Sequence, residues 1–253
     1  MPDVRNIARK FEIDFQGQLH RDDPASIDLF VQEQLEKKEA IILSYKKQRL
    51  VDQNFPSMNE MDFMLAFMTP FQKSMVEKLQ LQEKSVICMD ATHQTNDYNF
   101  LLVTVLTKDG SGQGLPLAHL FTNREDYIAL KLFLRDFRKE CGKISCTAFM
   151  SDDASQYFQA WSSTMVDAGD ISPAKLLCTW HVSRSLEKNI WTKIKTAKQR
   201  EFVYHHIKTI MCELDKNTSE KLLQSFREKI KKDATTKLYS DYFESKYIFY
   251  FNY

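Results

Sequence analysis

A series of strand-type segments that begins at Ser85 constrains the fold more than any other feature of the chain. The first, SVICMD, is a compact apolar run that ends in Asp90, and a longer run rich in Val, Leu and Thr follows it. The glycine-rich turn KDGSGQG then separates this second run from LPLAHLF. We therefore predict an antiparallel hairpin of Tyr98–Thr107 with Leu115–Phe121.

Helical and strand-type segments alternate after the hairpin. The stretch TNREDYIALKLFLRDFRKECG predicts a helix, because Thr122 and Glu125 have capping-box spacing and Gly142 stands where a helix should end. A strand over Ile144–Met150, a helix over 154–169 and the short strand LLCTW follow.

The resulting order is three strands, then helix, strand, helix, strand and helix. Right-handed crossovers would place the strand that ends at Asp152 parallel to the strand that ends at Asp90, and beside it. The sequence thus predicts an α/β fold with a ribonuclease H-like mixed sheet, which combines an antiparallel hairpin trio with parallel strands and flanking helices. Two carboxylates from distant parts of the chain would then meet at one edge of the sheet.

The predicted core, residues 85–181, is preceded by residues 1–84 and followed by residues 182–253. Helical spacing in IDLFVQEQLEKKEAIIL and MDFMLAFMTPFQKSMVEKL predicts a mainly helical N-terminal region that is broken at Pro70. The last segment is helical by composition, and we expect it to be an incomplete, insertion-like segment.

The basic residues are concentrated in one part of the chain. The formal net charge is only +1, but residues 182–237 carry 14 basic and 7 acidic side chains. Such a segment is typical of proteins that bind polyanions, and also of solvated lysine-rich helices. Four aromatic residues interleave with the charges: Trp191, Phe202, Tyr204 and Phe226. Because aromatics at helical spacing belong more often to a core, we assign the charges, and not the rings, to a polyanion partner.

The composition argues against secretion and membrane insertion. The five cysteines are an odd number and widely spaced, which fits reduced thiols better than a disulfide framework. The N-terminus is charged where a signal peptide needs an apolar stretch, and the longest strongly apolar run, Phe100–Leu106, is too short to cross a bilayer. We expect a soluble protein with no membrane partner.

Acidic residues close two of the predicted strands, Asp90 the first and Asp152 with Asp153 the later one. Carboxylates from neighbouring strands are the ligands that a Mg²⁺-dependent phosphoryl-transfer site uses. Two simpler interpretations stay open: strands end at the surface, where acids are common, and Asp153 is placed to cap the next helix. A further one makes Asp90 the nucleophile of an aspartyl-phosphate hydrolase, although those enzymes have parallel sheets without this hairpin.

Three motifs, in this order and spacing, resemble the core of Mutator-like element (MULE) transposases, in the animal lineage of that family. They are an Asp-x-Thr motif with a following Thr-Asn pair in CMDATHQTND, a Ser/Thr-Asp motif in AFMSDDASQ and a Cys-x-x-His motif in LLCTWHV. The residues that carry the resemblance are Asp90, Thr92, Thr95, Asn96, Ser151, Asp152, Cys178 and His181.

This resemblance implies a DNA transposase that cuts and joins DNA strands by a DDE-type mechanism with Mg²⁺ or Mn²⁺. Asp90 would be the first catalytic and metal-binding carboxylate, and Asp152 the second. None of the glutamates near the C-terminal end matches the third: Glu201, Glu213, Glu220, Glu228 and Glu244. We therefore expect a fragment or degenerate copy that is truncated before this glutamate, and whether it is an active enzyme stays open. The alternative is a catalytically inactive derivative that binds DNA or protein.

The resemblance also implies DNA partners, the transposon ends and the target, and with them a nuclear location; a homo-oligomer stays open. Cys178, His181 and His93 are candidates for contacts with metal or DNA. Cys178 and His181 could supply half of a zinc site, but the spacing of the remaining histidines and cysteines fits no standard zinc finger. The simpler interpretation is a buried cysteine at a strand end and a histidine near the start of a helix.

Overall fold

The computed structural model describes residues 22–37, 41–81 and 85–247. The described residues form two compact units. The first comprises those up to residue 150 together with residues 154–175, and the second comprises residues 151–153 together with the described residues from 176 onward. The first 21 residues of the predicted N-terminal region lie outside the described residues.

A seven-stranded sheet dominates the first unit. Its strands are β1 (Ile42–Lys46), β2 (Met64–Phe67), β3 (Val86–Thr92), β4 (Leu101–Lys108), β5 (Gly114–Thr122), β6 (Ala148–Ser151) and β7 (Ala174–Leu177). The strand order is β1-β2-β5-β4-β3-β6-β7. Neighbours β3, β4 and β5 are antiparallel, whereas β3 and β6 are parallel. This mixed sheet confirms the predicted α/β fold class and is consistent with a ribonuclease H-like fold.

Eight helices are found in the described part of the chain. They are α1 (Asp23–Leu35), α2 (Pro70–Gln80), α3 (Tyr127–Cys141), α4 (Ser155–Met165), α5 (Thr179–Lys193), α6 (Ala197–Cys212), α7 (Lys216–Lys232) and α8 (Lys237–Tyr247). The first four belong to the first unit and the last four to the second. None of these helices has the length and the apolar character needed to cross a membrane.

Helices cover both faces of the sheet in the first unit. On one face, α2, α3 and α4 form the main core with the sheet, in which Phe133 and Trp161 are buried together with Met89 of β3. On the other face, α1 packs through Val31 against Leu65 of β2 and nearby aromatic residues. Because β-strand side chains alternate between the two faces, the sheet can serve both cores at once.

Strands β1 and β2 lie in the region that the sequence analysis predicted to be mainly helical. β2 pairs antiparallel with β5, with Met64 opposite Thr122, and so joins this region to the sheet. Pro70 begins α2 instead of breaking a helix, and Thr69 and Gln72 form the capping box that precedes it. A four-residue apolar run such as MLAF has no periodicity that separates a buried strand from a helix.

Two predicted helix caps are wrong. The N-cap of α3 is Asp126, whose carboxylate accepts hydrogen bonds from the amides of Ile128 and Ala129, so Thr122 and Glu125 form no capping box. The N-cap of α4 is Ala154 and not Asp153, and Ala154 makes no side-chain capping bond. Asp153 forms an ion pair with Lys246. The helix end at Gly142 is confirmed, since this glycine has a left-handed φ of 77°.

The second unit is a group of four helices around its own apolar core. Leu186 and Ile190 of α5, Val203 of α6, Phe226 of α7 and Phe243 of α8 are all buried in this core. The prediction that the basic segment is helical is therefore confirmed.

The five cysteines all lie in the described part of the chain and are free thiols. Burial raises the pKa of Cys141 and of Cys146 to about 11. Both side chains therefore stay protonated near neutral pH and are poor nucleophiles.

A buried lysine ties β1 to the loop that leads to β2. Lys46 has no solvent exposure, and its ammonium group donates hydrogen bonds to the carbonyls of Lys47, Glu60 and Asp62 at 2.9 to 3.0 Å. These three carbonyls satisfy the buried charge.

We predict that Lys46→Met lowers the free energy of unfolding by about 2–4 kcal/mol, because it leaves three carbonyl groups without their donor. Urea denaturation followed by circular dichroism measures the change. The matched control is Lys47→Met, which removes a half-exposed ion pair with Asp28 and should cost less than about 1 kcal/mol. Equal losses in the two variants would contradict the role assigned to Lys46.

Candidate active site

Asp90 lies near the end of β3 in the first unit. It pairs with Thr104 of β4, and its side chain is exposed, whereas the neighbouring Met89 is buried in the main core. This alternation follows from the strand conformation, which directs Asp90 to the face opposite Met89. The carboxylate is therefore accessible to solvent at the carboxyl end of a buried strand.

The neighbouring strand β6 also leads to an aspartate. β3 and β6 are parallel, and Cys88 is the partner of Met150, the last residue of β6 within the first unit. Asp90 follows Cys88 by two residues and Asp152 follows Met150 by two residues. The prediction that these two strands are parallel neighbours is confirmed.

Asp152 belongs to the second unit, where it lines a cavity of about 160 Å³ with Cys178, His181 and Tyr247. The amide of Cys178 donates a 2.8 Å hydrogen bond to the carbonyl of Ser151, which holds the two segments together. Three predicted site residues, Asp152, Cys178 and His181, thus lie around one cavity. Asp90 and His93 belong to the first unit.

The Cys-x-x-His motif lies at the beginning of α5. Cys178 is the N-cap and is half-buried, and its carbonyl accepts a 3.0 Å hydrogen bond from the amide of Val182. His181 lies in the first turn of the helix. This arrangement agrees with the simpler interpretation of a cysteine at a strand end and a histidine at a helix start.

His93 follows β3 and lies beside the carboxylate of Glu125, the residue that was predicted to form a capping box with Thr122. Its Nε2 is 3.8 Å from Oε2 of Glu125, and the hydroxyl of Tyr157 donates a 2.5 Å hydrogen bond to Oε1 of the same glutamate. Glu125 follows β5, which runs parallel to β3 two strands away, so both lead to the same edge of the sheet. That shared edge is the signal by which Glu125 could have been found from the sequence.

Arg124 holds the loop after β5 in place. Its guanidinium bonds Asp62 at 2.5 Å and Asp126 at 2.6 Å, and thereby joins the loop before β2 to the N-cap of α3. The side chain of Asn123 accepts a 2.9 Å hydrogen bond from the amide of Phe63. Glu125 stands between these anchors, so its backbone position is well defined.

A third histidine, His119 of β5, lies in the same row of the sheet as Asp90, which no sequence motif indicated. Thr104 pairs with Asp90 on one side and with His119 of β5 on the other, and its hydroxyl is 3.1 Å from Nδ1 of His119. Burial lowers the pKa of His119. The imidazole is therefore neutral near pH 7.

The donor chemistry of the two aspartates fits a hard divalent cation. Mg²⁺ is usually held by one or two carboxylates, and substrate phosphates and water complete its coordination. No group of three or more His, Cys, Asp or Glu residues in the described ranges is arranged to hold a metal ion. Taken one by one, the carboxylates of Asp90 and Asp152 are the oxygen donors that Mg²⁺ and Mn²⁺ prefer.

We predict that the free energy of unfolding falls between pH 7.5 and pH 5.5, partly through His119. The unfolded chain protonates this imidazole near its ordinary pKa of 6.5, and the folded chain only at lower pH. The stability that depends on neutral His119 is therefore fully present above pH 6.5 and is lost as the pH falls. The loss is at most about 1.4 kcal/mol per pH unit, because one proton is bound. Urea denaturation at both pH values should show a smaller loss for His119→Gln. The exposed His205→Gln is the control, and an unchanged loss in His119→Gln would contradict the assignment.

Comparison with known proteins agrees with the motifs. Residues 86–185 match the family model of the MULE transposase domain, and this range contains every site residue that the sequence predicted. A search of curated proteins found no match. The resemblance to the MULE transposase family that the three motifs indicated is therefore confirmed over residues 86–185.

Proposed function

We propose that this chain is the core of a DNA transposase that cleaves DNA and transfers the cut strand by metal-dependent phosphoryl transfer. Asp90 and Asp152 are the two carboxylates that we assign to catalysis and to metal binding. The observation that carries this proposal is their position in the chain. Cys88 and Met150 are partners on adjacent parallel strands, and Asp90 and Asp152 each follow one of these partners by two residues.

The chemistry of phosphoryl transfer explains why two such acids are needed. Bound Mg²⁺ or Mn²⁺ would activate the attacking oxygen and stabilise the leaving oxygen in an in-line displacement. Asp90 and Asp152 would each supply carboxylate oxygens as ligands of the metal. Neither side chain is buried, so both are accessible to an incoming phosphate.

The four helices of the second unit are the proposed surface for the DNA backbone. The segment 182–237 has twice as many basic as acidic side chains, 14 against 7. Phosphate contacts from such a surface give an affinity that depends little on sequence and falls steeply with salt. A DNA substrate also favours a nuclear location.

A second candidate function is that of an inactive transposase derivative that binds DNA without cutting it. The observation in its favour is that no cluster of three metal-ligating side chains is found among residues 22–37, 41–81 and 85–247. The two candidates share the fold and the basic surface, so they differ only in cleavage.

The test is nicking of a supercoiled plasmid by the 253-residue chain with Mn²⁺ or Mg²⁺. We expect Asp90→Asn and Asp152→Asn each to reduce the rate at least about a hundredfold, since each removes a charged metal ligand. Asp153→Asn is the matched control: it changes the adjacent acid, which is paired with Lys246, and should keep at least half of the activity.

Two results would contradict the catalytic proposal. Cleavage that is unaffected by Asp90→Asn and Asp152→Asn would show that other residues carry the reaction. DNA binding by the wild type without any cleavage in either metal would favour the inactive derivative.

A further inference from the structure

The structure divides the aromatic residues of the basic segment into two groups. Phe226 is fully buried in the core of the second unit, and Phe202 and Tyr204 pack against that core. These three agree with the expectation from helical spacing. Trp191 does not, because 60% of its surface is exposed. The general expectation that aromatics at helical spacing belong to a core therefore does not hold for Trp191.

A second exposed tryptophan lies on the same side of the same helix. Trp180, in the first turn of α5, is 56% exposed. It precedes Trp191 by eleven residues, or three helical turns, so the two rings project from one side of α5, roughly 16 Å apart. The core side of this helix is occupied by Leu186 and Ile190. Two large apolar side chains thus face solvent where a solvated helix would carry polar ones.

Cations accompany both rings. The guanidinium of Arg184 lies 4.7 Å from the ring of Trp180, and that of Arg200 lies 4.9 Å from the ring of Trp191. Lys188 is exposed between the two tryptophans. Residues 179–200 carry six basic side chains and a single acid, Glu187, so most of the basic excess of the segment lies here.

We propose that this surface, the Trp180–Trp191 stripe of α5, binds single-stranded DNA by stacking unpaired bases on its two rings. The cations match the phosphate backbone of the same strand, and an arginine beside a stacked ring strengthens the contact with a base. Duplex DNA cannot use the rings in this way, because its bases are already stacked on one another. A purely electrostatic surface would not need exposed tryptophans.

The stripe leads to the cavity of Asp152. The ring of Trp180 is in edge contact with His181, with 4.7 Å between the ring centroids, and His181 lines the cavity together with Asp152. A strand that stacks on Trp180 would therefore pass the carboxylate proposed for cleavage. This inference rests on DNA being the substrate, as in the proposed function, but it uses none of the residues assigned to catalysis.

The experiment compares two fluorescently labelled probes, a twelve-nucleotide oligo(dT) and a twelve-base-pair duplex, by anisotropy with the full chain. We expect Trp180→Ala and Trp191→Ala each to weaken oligo(dT) binding roughly tenfold, with less than about a twofold change for the duplex. Leu214→Ala is the matched control, since it removes a 98% exposed apolar side chain of the same unit and should change neither affinity.

Intrinsic fluorescence gives a second measurement. Trp161 is the third tryptophan of the chain and is buried in the first unit, so it reports folding and not binding. Oligo(dT) should quench the wild-type emission and leave the emission of the Trp180→Ala, Trp191→Ala double variant unchanged. Thermal melting of this variant at the wild-type temperature shows that both units are folded.

The proposal would be overturned if both tryptophan variants bound oligo(dT) with wild-type affinity. It would also be overturned if the variants lost affinity equally for oligo(dT) and for the duplex, because that result indicates a surface that acts by charge alone. Failure here is distinguishable from failure of the proposed function. If Asp90→Asn abolishes cleavage while the tryptophan variants bind normally, only the stripe is wrong. If the stripe binds oligo(dT) as expected but the chain never cleaves DNA, only the catalytic proposal is wrong.

Discussion

The parallel pairing of β3 with β6 is the constraint on which the candidate site depends. The carbonyl of Ser85 accepts hydrogen bonds from the amide and the hydroxyl of Thr147, at 2.9 and 2.8 Å, and the Ser85 hydroxyl donates to the carbonyl of Ser145 at 3.0 Å. These bonds fix the register at the beginning of both strands. Successive side chains of a strand alternate between the two faces of the sheet. If the pairing of β6 with β3 shifted by one residue, the side chains of β6 on the same face as Asp90 would move to the opposite face.

Apolar packing holds this pairing in place. Ile87 of β3 and Phe149 of β6 are partners across the two strands, and neither is exposed to solvent. The ring centroids of Phe149 and of Trp161 on α4 are 5.3 Å apart, so α4 packs against β6. A slipped register would remove Phe149 from this core, which makes the observed register the favourable one.

The sequence predicted the part of the fold that long apolar runs encode. Strands β3 to β6 and the parallel neighbours β3 and β6 followed from run length, turn chemistry and element order. The predicted strand LLCTW shares only Leu176 and Leu177 with β7, because Thr179 and Trp180 begin α5. Strands β1 and β2 were missed because the four apolar residues of β2 carry no period, and only pairing with β5 makes them a strand. Glu125 and His119 were missed because their neighbours, His93 and Thr104, are brought near by the sheet and not by the local sequence. The exposure of Trp191 depends on how four helices pack, which helical spacing alone does not determine.

The central proposal is that Asp90 and Asp152 are both ligands of the catalytic metal ion, and local cleavage of the polypeptide tests it most directly. Fe²⁺, bound in place of Mg²⁺ in the presence of ascorbate and peroxide, cuts the backbone near its ligands, and mass spectrometry locates the cuts. We expect cuts near both residue 90 and residue 152, which excess Mg²⁺ suppresses and which either Asp90→Asn or Asp152→Asn abolishes at both places. Cuts near only one aspartate, or cuts at one that survive the loss of the other, would contradict the account.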